Sequence, residues 1–462
     1  MKKFFRKRII PAIITISMLA VLAACGEEKV NPNKPSSSGD KSGTGSNSAI
    51  VYNKPSSTIG ANGKDYSDYD PYADIEKYRG KTVKFATWID HSATEGAVPI
   101  ASFEKKYGIK VELVYCSQSN YLSELLALIE SGNSPDIFVE NGDFPATLQV
   151  AQDFSCTGID LNEPIWSQQY IKANRVGSKI YGVNTVNSPW NSAYLCFYNR
   201  DLMEENGIKT PTEYYEEGNW TWETMTTVMQ QVDSLGSEYK GGVLSEHYAF
   251  LTSAGALPVT YDPDAGKFTK NTGSDGYANA LKFIATLRKS GLDTGGAEDF
   301  NGGKIGIVVK DAYGLKKTGY YRHMDALDIG FVPMPNVDTN TPAKPGYHMR
   351  NYGIVKGAKN PQAAGLFLRY FLDPANYDLE NTFISNEAGQ FYFDLLKANN
   401  ESGVDFNFSY FGVGTVIGYK GRNFGYVPNY QDPAQISTFI SSEDNIIQNG
   451  VDKSNKLLAQ MK

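Results

Sequence analysis

Cysteine and histidine are scarce in this chain, with four of each among 462 residues. Cys25, Cys116, Cys156 and Cys196 are widely spaced. They make no disulfide framework and no CxxC or other metal-ligand pattern. His91, His247, His323 and His348 are equally scattered, and no HExxH occurs. G-x-S-x-G, a phosphate-cradling glycine loop and an internal repeat are also missing. These absences remove the commonest hydrolase and metal signatures. The expectation is a protein with no catalytic residues, no metal and no cofactor. Positive charge is short too. The first 24 residues hold five cations and no acids; taking those five from 44 leaves 39 against 51 acids, or −12. Such a balance disfavours nucleic acid as a partner, because phosphate binding leans on clustered Lys and Arg. No apolar run reaches the ~20 residues that span a bilayer.

What is present begins with an address. MKKFFRKRII leads into an apolar stretch, Ile9 to Ala24, of 16 residues. A basic start and a short apolar core mark a secretory signal. Its end, Leu22-Ala23-Ala24-Cys25, resembles the bacterial lipobox. That resemblance implies cleavage after residue 24 and lipidation of Cys25, an anchor of the diacylglyceryl and palmitate type. From Gly26 to Gly63 the chain is rich in Ser, Gly, Asn, Pro and Lys. Such composition buries too little apolar surface to order itself and reads as a tether, extending to about residue 71.

Thereafter strand and helix signals alternate. Lys81–Trp88 reads as a strand, Pro99–Tyr107 as a helix closed by Gly108, and Ile109–Tyr115 as a second strand. Asn120–Gly132 carries an apolar stripe of Leu122, Leu125, Leu126 and Ile129, with Asn120 placed to cap it. Asp136–Glu140 is a short buried strand. Helices follow at Trp222–Val232, Tyr277–Lys289 and Pro361–Leu372, and further strands at 179–183, 195–199 and 305–309. The order implies α/β architecture with mostly parallel sheets, whose ligands bind at the carboxyl ends of strands. The 53 Tyr and Phe residues exceed what cores alone require. Cys116 and Cys196, in strand-like contexts, read as small buried residues. Tyr261–Gly266 has D-x-D-x-G spacing without the later ligands of an EF-hand loop, and reads as a hairpin turn.

Three blocks carry a resemblance: FEKKYGIKVELV with SGNSPDIFVENGD; KIYGVN with FYNRDLMEENGIKTPTEYYEEGNWTWE; and FNGGKIGIVV, DIGFVPMP and YGIVKGAKNPQAAGLFLRYFL. In this order they resemble the bacterial extracellular solute-binding proteins of the sugar-binding group that includes maltose-binding protein. The resemblance runs from Thr82 toward the C-terminus. It implies a two-lobed periplasmic-binding-protein-like fold of type II, each lobe a mostly parallel sheet flanked by helices. It places lobe one at 72–193 plus 304–346 and lobe two at 194–303 plus 347–462. It further implies a monomer that captures a carbohydrate between the lobes, closes by a hinge, and delivers it to ABC permease subunits with a cytoplasmic ATPase. With the lipid anchor, the expected location is the extracellular face of the cell membrane of a Gram-positive-type bacterium.

A sugar receptor needs flat rings for apolar C–H faces and polar groups for hydroxyls. Trp88, Asp90 and His91 follow the first strand and are expected at the cleft rim. Asn141 and Asp143 follow the third strand. Trp190 lies in an irregular segment before the crossover. Asp311 and Tyr313 follow strand 305–309, where the family's turn often carries a stacking Trp. Arg350, Asn351 and Tyr352 lie near the second return crossing, with Arg350 able to fork onto hydroxyls or a carboxylate. Trp220 and Trp222 read as packing residues. Three rivals stand beside this reading: a lipid-anchored glycoside hydrolase using a pair drawn from Asp90, Asp143 and Asp311, a surface adhesion module, and a receptor for a solute other than a sugar.

Overall fold

The computed structural model describes residues 49–461, except 53, 56, 141, 245, 295–299, 342, 344–346, 349, 403–409 and 417–431. The described residues form one compact unit. The expected signal and Cys25 lie outside the described residues.

Two five-stranded sheets organise it. The first uses β1 (Thr82–Thr87), β2 (Lys110–Tyr115), β3 (Ile137–Glu140) and β4 (Ala151–Gln152). The second uses β5 (Ser192–Asn199), β6 (Lys240–Val243), β7 (Ile305–Asp311), β8 (Ile329–Pro333) and β9 (Tyr347–His348). The chain then returns to the first sheet as β10 (Asn351–Val355). The first sheet runs β2-β1-β3-β10-β4, and the second β8-β5-β7-β6 with β9 also on β5. β1 is parallel to β2 and β3, and β10 is antiparallel to β3 and β4. The second sheet is mixed: β5 is antiparallel to β7 and β8, and only β7 and β6 run parallel.

This pairing exchanges the two expected return segments. Residues 305–311 and 329–333 stay with β5 in the second sheet, and 351–355 go back to the first. The crossings between sheets are therefore the stretch before β5 and the short step from His348 to Asn351. The expected tether also ends early. Tyr66 is buried and its hydroxyl donates to Asp160, while Ala61 N–H donates to the Asn162 carbonyl.

Helix α1 (Ala97–Tyr107) ends where Gly108 takes a left-handed φ of 65° and its N–H reaches back to Glu104. Helix α2 (Tyr121–Glu130) is fastened less by a cap than by a ring. Asn120 makes no side-chain cap, whereas the Tyr121 hydroxyl donates to Ala86 carbonyl (2.8 Å) and accepts from Val139 N–H (2.9 Å). It thereby ties the helix to β1 and β3. In the second half, α3 (Trp222–Asp233) starts on a Thr221–Thr224 capping box, and α4 (Asp275–Lys289) on Ser274. Both bury the apolar stripe that their sequences show. Trp220 donates to the Pro333 carbonyl (3.0 Å) and Trp222 stacks on Phe283 (4.4 Å), so both pack the interior. Helix α5 (Pro361–Phe371) covers the first sheet, placing Phe367 and Phe371 against Phe85. The Tyr261–Gly266 segment is a hairpin turn in which Asp262 accepts from Asp264 and Ala265 N–H. Cys116 and Cys196 are buried and unpaired.

Candidate functional site

β1, β2 and β3 run parallel, so their carboxyl ends share one edge of the first sheet, and β10 begins at that same edge. In the second sheet β6 and β7 end together. The loops leaving these edges hold most of the residues singled out by sequence.

After β1, Trp88 is half-buried, edge-on to Tyr121 at 4.9 Å. Asp90 is exposed at the rim. Its carboxylate accepts from Ser92 N–H (3.0 Å) and the Tyr115 hydroxyl (2.8 Å), and the Ser92 and Tyr115 bonds hold its pKa below the usual range. His91 departs from the rim expectation. It is 0% exposed, stacked on Phe85 at 5.2 Å and edge-on to Trp190 at 4.6 Å. Its backbone N–H turns back onto Ile89 (2.9 Å), which sends the ring inward. Burial, helped by the charges of Arg350 and Lys316, pushes its pKa down to about 3, so the ring is neutral.

After β3, Asn141 lies outside the described residues. Asp143 is half-buried and accepts from the Thr415 hydroxyl (3.3 Å). Beside it, Glu140 is buried, with its carboxylate accepting from Phe144 N–H (2.9 Å) and facing the Asn351 amide (3.4 Å). Burial first, and Asp143 second, push its pKa up to about 7.

Trp190 and Tyr352 also prove interior. Trp190 is 1% exposed, stacks parallel on Phe371 (5.7 Å) and donates from Nε1 to the Tyr377 hydroxyl (2.6 Å). It offers no open face because Phe371, His91 and Lys316 occupy its surroundings. Tyr352 pairs with Val139 in the sheet and packs on Phe85 and Phe371, as strand alternation dictates for a sheet covered by α5. Arg350, two residues earlier, is half-buried. Its carbonyl accepts from Asn184 Nδ2 (2.6 Å), while its Nε is buried with no hydrogen-bond partner among the described residues.

From the second sheet, Asp311 caps the turn at 312–315 by accepting from Tyr313 N–H (3.0 Å). Tyr313 is half-buried, its hydroxyl donates to the Thr318 carbonyl (2.8 Å), and its ring lies edge-on to Tyr320 at 5.3 Å. Lys316, 3% exposed, pairs with Glu95, donates to the Pro189 carbonyl (2.7 Å) and lies over the Trp190 ring. Glu95 also accepts from the Thr318 hydroxyl (2.9 Å). Burial lowers the Lys316 pKa against the pull of Glu95, which raises it.

Glu95, Lys316, Glu140, Tyr115 and Tyr320 are functional candidates that sequence reasoning missed. Tyr115 was reachable, since it ends a strand at the ligand-bearing edge. It is 56% exposed, and Tyr320 38%. An exposed ring beside polar side chains is what a saccharide face requires. The acid with the raised pKa, Glu140, is enclosed by backbone donors, and Asp90 is held as a carboxylate. No cluster of metal-ligating side chains occurs among the described residues.

The profile of the family described as bacterial extracellular solute-binding protein matches residues 82–378, spanning both sheets. The chain belongs to this family. Its solute-binding relatives of known structure share the fold. The GacH receptor of Streptomyces glaucescens, solved unliganded and with acarbose, aligns over 82% of this chain and 98% of its own at 16% identity and a TM-score of 0.58. The galacto-N-biose-/lacto-N-biose I-binding protein of Bifidobacterium longum, in complex with lacto-N-biose, covers 80% and 97% at 15% identity and 0.57. A transporter-associated binding protein of B. animalis, in complex with β-1,6-galactobiose, covers 80% and 98% at 18% identity and 0.57. No curated protein matches the chain by sequence. The fold is thus the two-lobed architecture of these binding proteins. None of the described helices is long and apolar enough to cross a membrane.

Proposed function

We propose that this solute-binding protein is the extracellular receptor of an ABC importer, taking a mono- or oligosaccharide between its lobes and passing it to the permease. What supports this reading is that each sheet carries rings and polar groups where its strands end, Trp88, Asp90 and Tyr115 on the first and Asp311, Tyr313 and Tyr320 on the second, and that Glu95 after β1 bonds Lys316 and Thr318 after β7. Rings cover the apolar faces of a pyranose, and fixed carboxylates order its hydroxyls. Sugar-bound relatives of the same fold support it. On this reading lobe one is about 72–191 with 351–378, and lobe two about 192–348 with 383–462. Binding energy goes into hinge closure, which the permease reads, so no covalent step is asked of the protein. We further read Cys25 as the lipidated first residue of the mature, monomeric protein, held at the outer face of the cell membrane.

A thermal-shift screen against a saccharide library tests the ligand class. A true ligand at 100 times its Kd adds about 2.7 kcal/mol of stability. No shift with any saccharide, or product formation from a glycan, counts against the reading. Labelling with radioactive palmitate in cells, lost in Cys25→Ser, tests the anchor.

A further inference from the structure

We propose that the captured solute carries a carboxylate, which Arg350 receives, so that the ligand is an acidic saccharide of the uronate class. This rests on the carbohydrate-receptor reading and narrows it.

The argument is one of charge matching at the junction of the sheets. His91 is enclosed and neutral. Lys316 is matched by Glu95, by the Pro189 carbonyl and by the Trp190 face. Arg350 is not matched. Its main chain is fixed by Asn184. Yet its Nε is buried without a hydrogen-bond partner, and its guanidinium enters no ion pair among the described residues. A guanidinium has five donors and never loses its charge. Leaving such a group partly desolvated and unpaired is costly. Asp311 accepts from Tyr313 N–H, Asp90 from Ser92 and Tyr115, and Glu95 from Lys316 and Thr318, and none of the three makes an ion pair with Arg350.

A neutral hydroxyl fills a donor but leaves the charge uncompensated. A carboxylate does both, with two parallel bonds to the planar fork. Rings lie close by. Strand register brings their segments and that of Arg350 together: Asp311, two residues before Tyr313, pairs with Tyr194 of β5, and Tyr347, three residues before Arg350, pairs with the adjacent Ala193. Burial raises the Tyr313 and Tyr320 phenol pKa values, and the Arg350 charge also draws both down against it. A ring face beside a cationic fork matches a pyranose with a carboxylate on its rim. The acidic whole-chain balance does not oppose this, because a local field decides a local contact.

Titration calorimetry on the purified protein, with galacturonate and glucuronate mono- and disaccharides against their neutral galactose and glucose counterparts, tests the inference. An acidic sugar should bind about tenfold or more tightly than its neutral counterpart. That preference should weaken as sodium chloride rises from about 50 to 500 mM. Arg350→Gln should erase the preference in a protein that stays folded, with a melting temperature no lower than the parent's because a partly desolvated charge is removed, and Arg350→Lys should restore part of the preference. Neutral sugars binding as tightly as acidic ones, or Arg350→Gln keeping the preference, would overturn this inference alone. If neither series binds, the carbohydrate reading falls and takes the inference with it.

Discussion

The Lys316 ammonium lies 4.3 Å from the centre of the Trp190 ring while paired with Glu95. Glu95 follows β1 of the first sheet, and Lys316 follows β7 of the second. One buried ion pair, seated on an indole, therefore joins the two sheets at the edges where β1 and β7 end.

Breaking that pair on one side leaves a buried charge alone. Lys316→Met should lower stability by ~3–5 kcal/mol in urea unfolding, whereas the double change Glu95→Leu with Lys316→Met should recover most of the loss. A double variant no more stable than the single one would show that the pair is not the source.

Trp190 and Tyr320 should separate packing from recognition. Trp190→Ala opens a cavity beside Phe371 and His91 and should cost ~3–5 kcal/mol. Tyr320→Ala and Tyr115→Ala, both at exposed rings, should leave the melting temperature nearly unchanged and weaken saccharide binding by about fivefold or more. Equal affinity in both tyrosine variants would remove them as platforms.

Glu140 should make the fold lose stability as pH rises from mildly acidic to neutral. Its native pKa of about 7 exceeds the ordinary 4.5, so the native state holds a proton that the unfolded chain has released. The stabilisation is complete below pH 4.5 and disappears as pH rises through about 7, a change of roughly 3 kcal/mol. Glu140→Gln should flatten this slope in denaturation curves taken from pH 5 to 8.

His91 acts in the opposite sense. Its native pKa of about 3 lies below the ordinary 6.5, so stability is full above pH 6.5 and falls on acidification toward about 3. The loss should reach roughly 2 kcal/mol by pH 5. His91→Leu should abolish that acid limb, and an unchanged limb would place its origin elsewhere.

Much of the architecture was legible because it is local. The stripe Tyr277, Leu281, Ile284 and Leu287 announces α4, and the turn residues of Tyr261–Gly266 announce a hairpin. The exchange of return strands was not legible. Ile305–Val309 and Tyr352–Val355 are both short apolar runs, and nothing within either states which strand it will join. His91 and Trp190 sit in irregular segments where no periodicity tells inward from outward. The partnership of Glu95 with Lys316 spans 221 positions and exists only once both sheets are assembled. Tyr352, expected in the site, is interior for a reason seen only in the assembled sheet, since with Gly353, Ile354 and Val355 it forms a strand buried on both faces.

The late arrival of β10 has a consequence for how the molecule is made. Every strand of the second sheet precedes residue 351, yet the first sheet needs 351–355 to fill the place between β3 and β4. A growing polypeptide shorter than that exposes the bare backbone of β3, an edge that invites misassembly. The sheet that is begun first is therefore the later one to be completed, and a truncation just ahead of Asn351 should yield aggregates in place of an isolated N-terminal half.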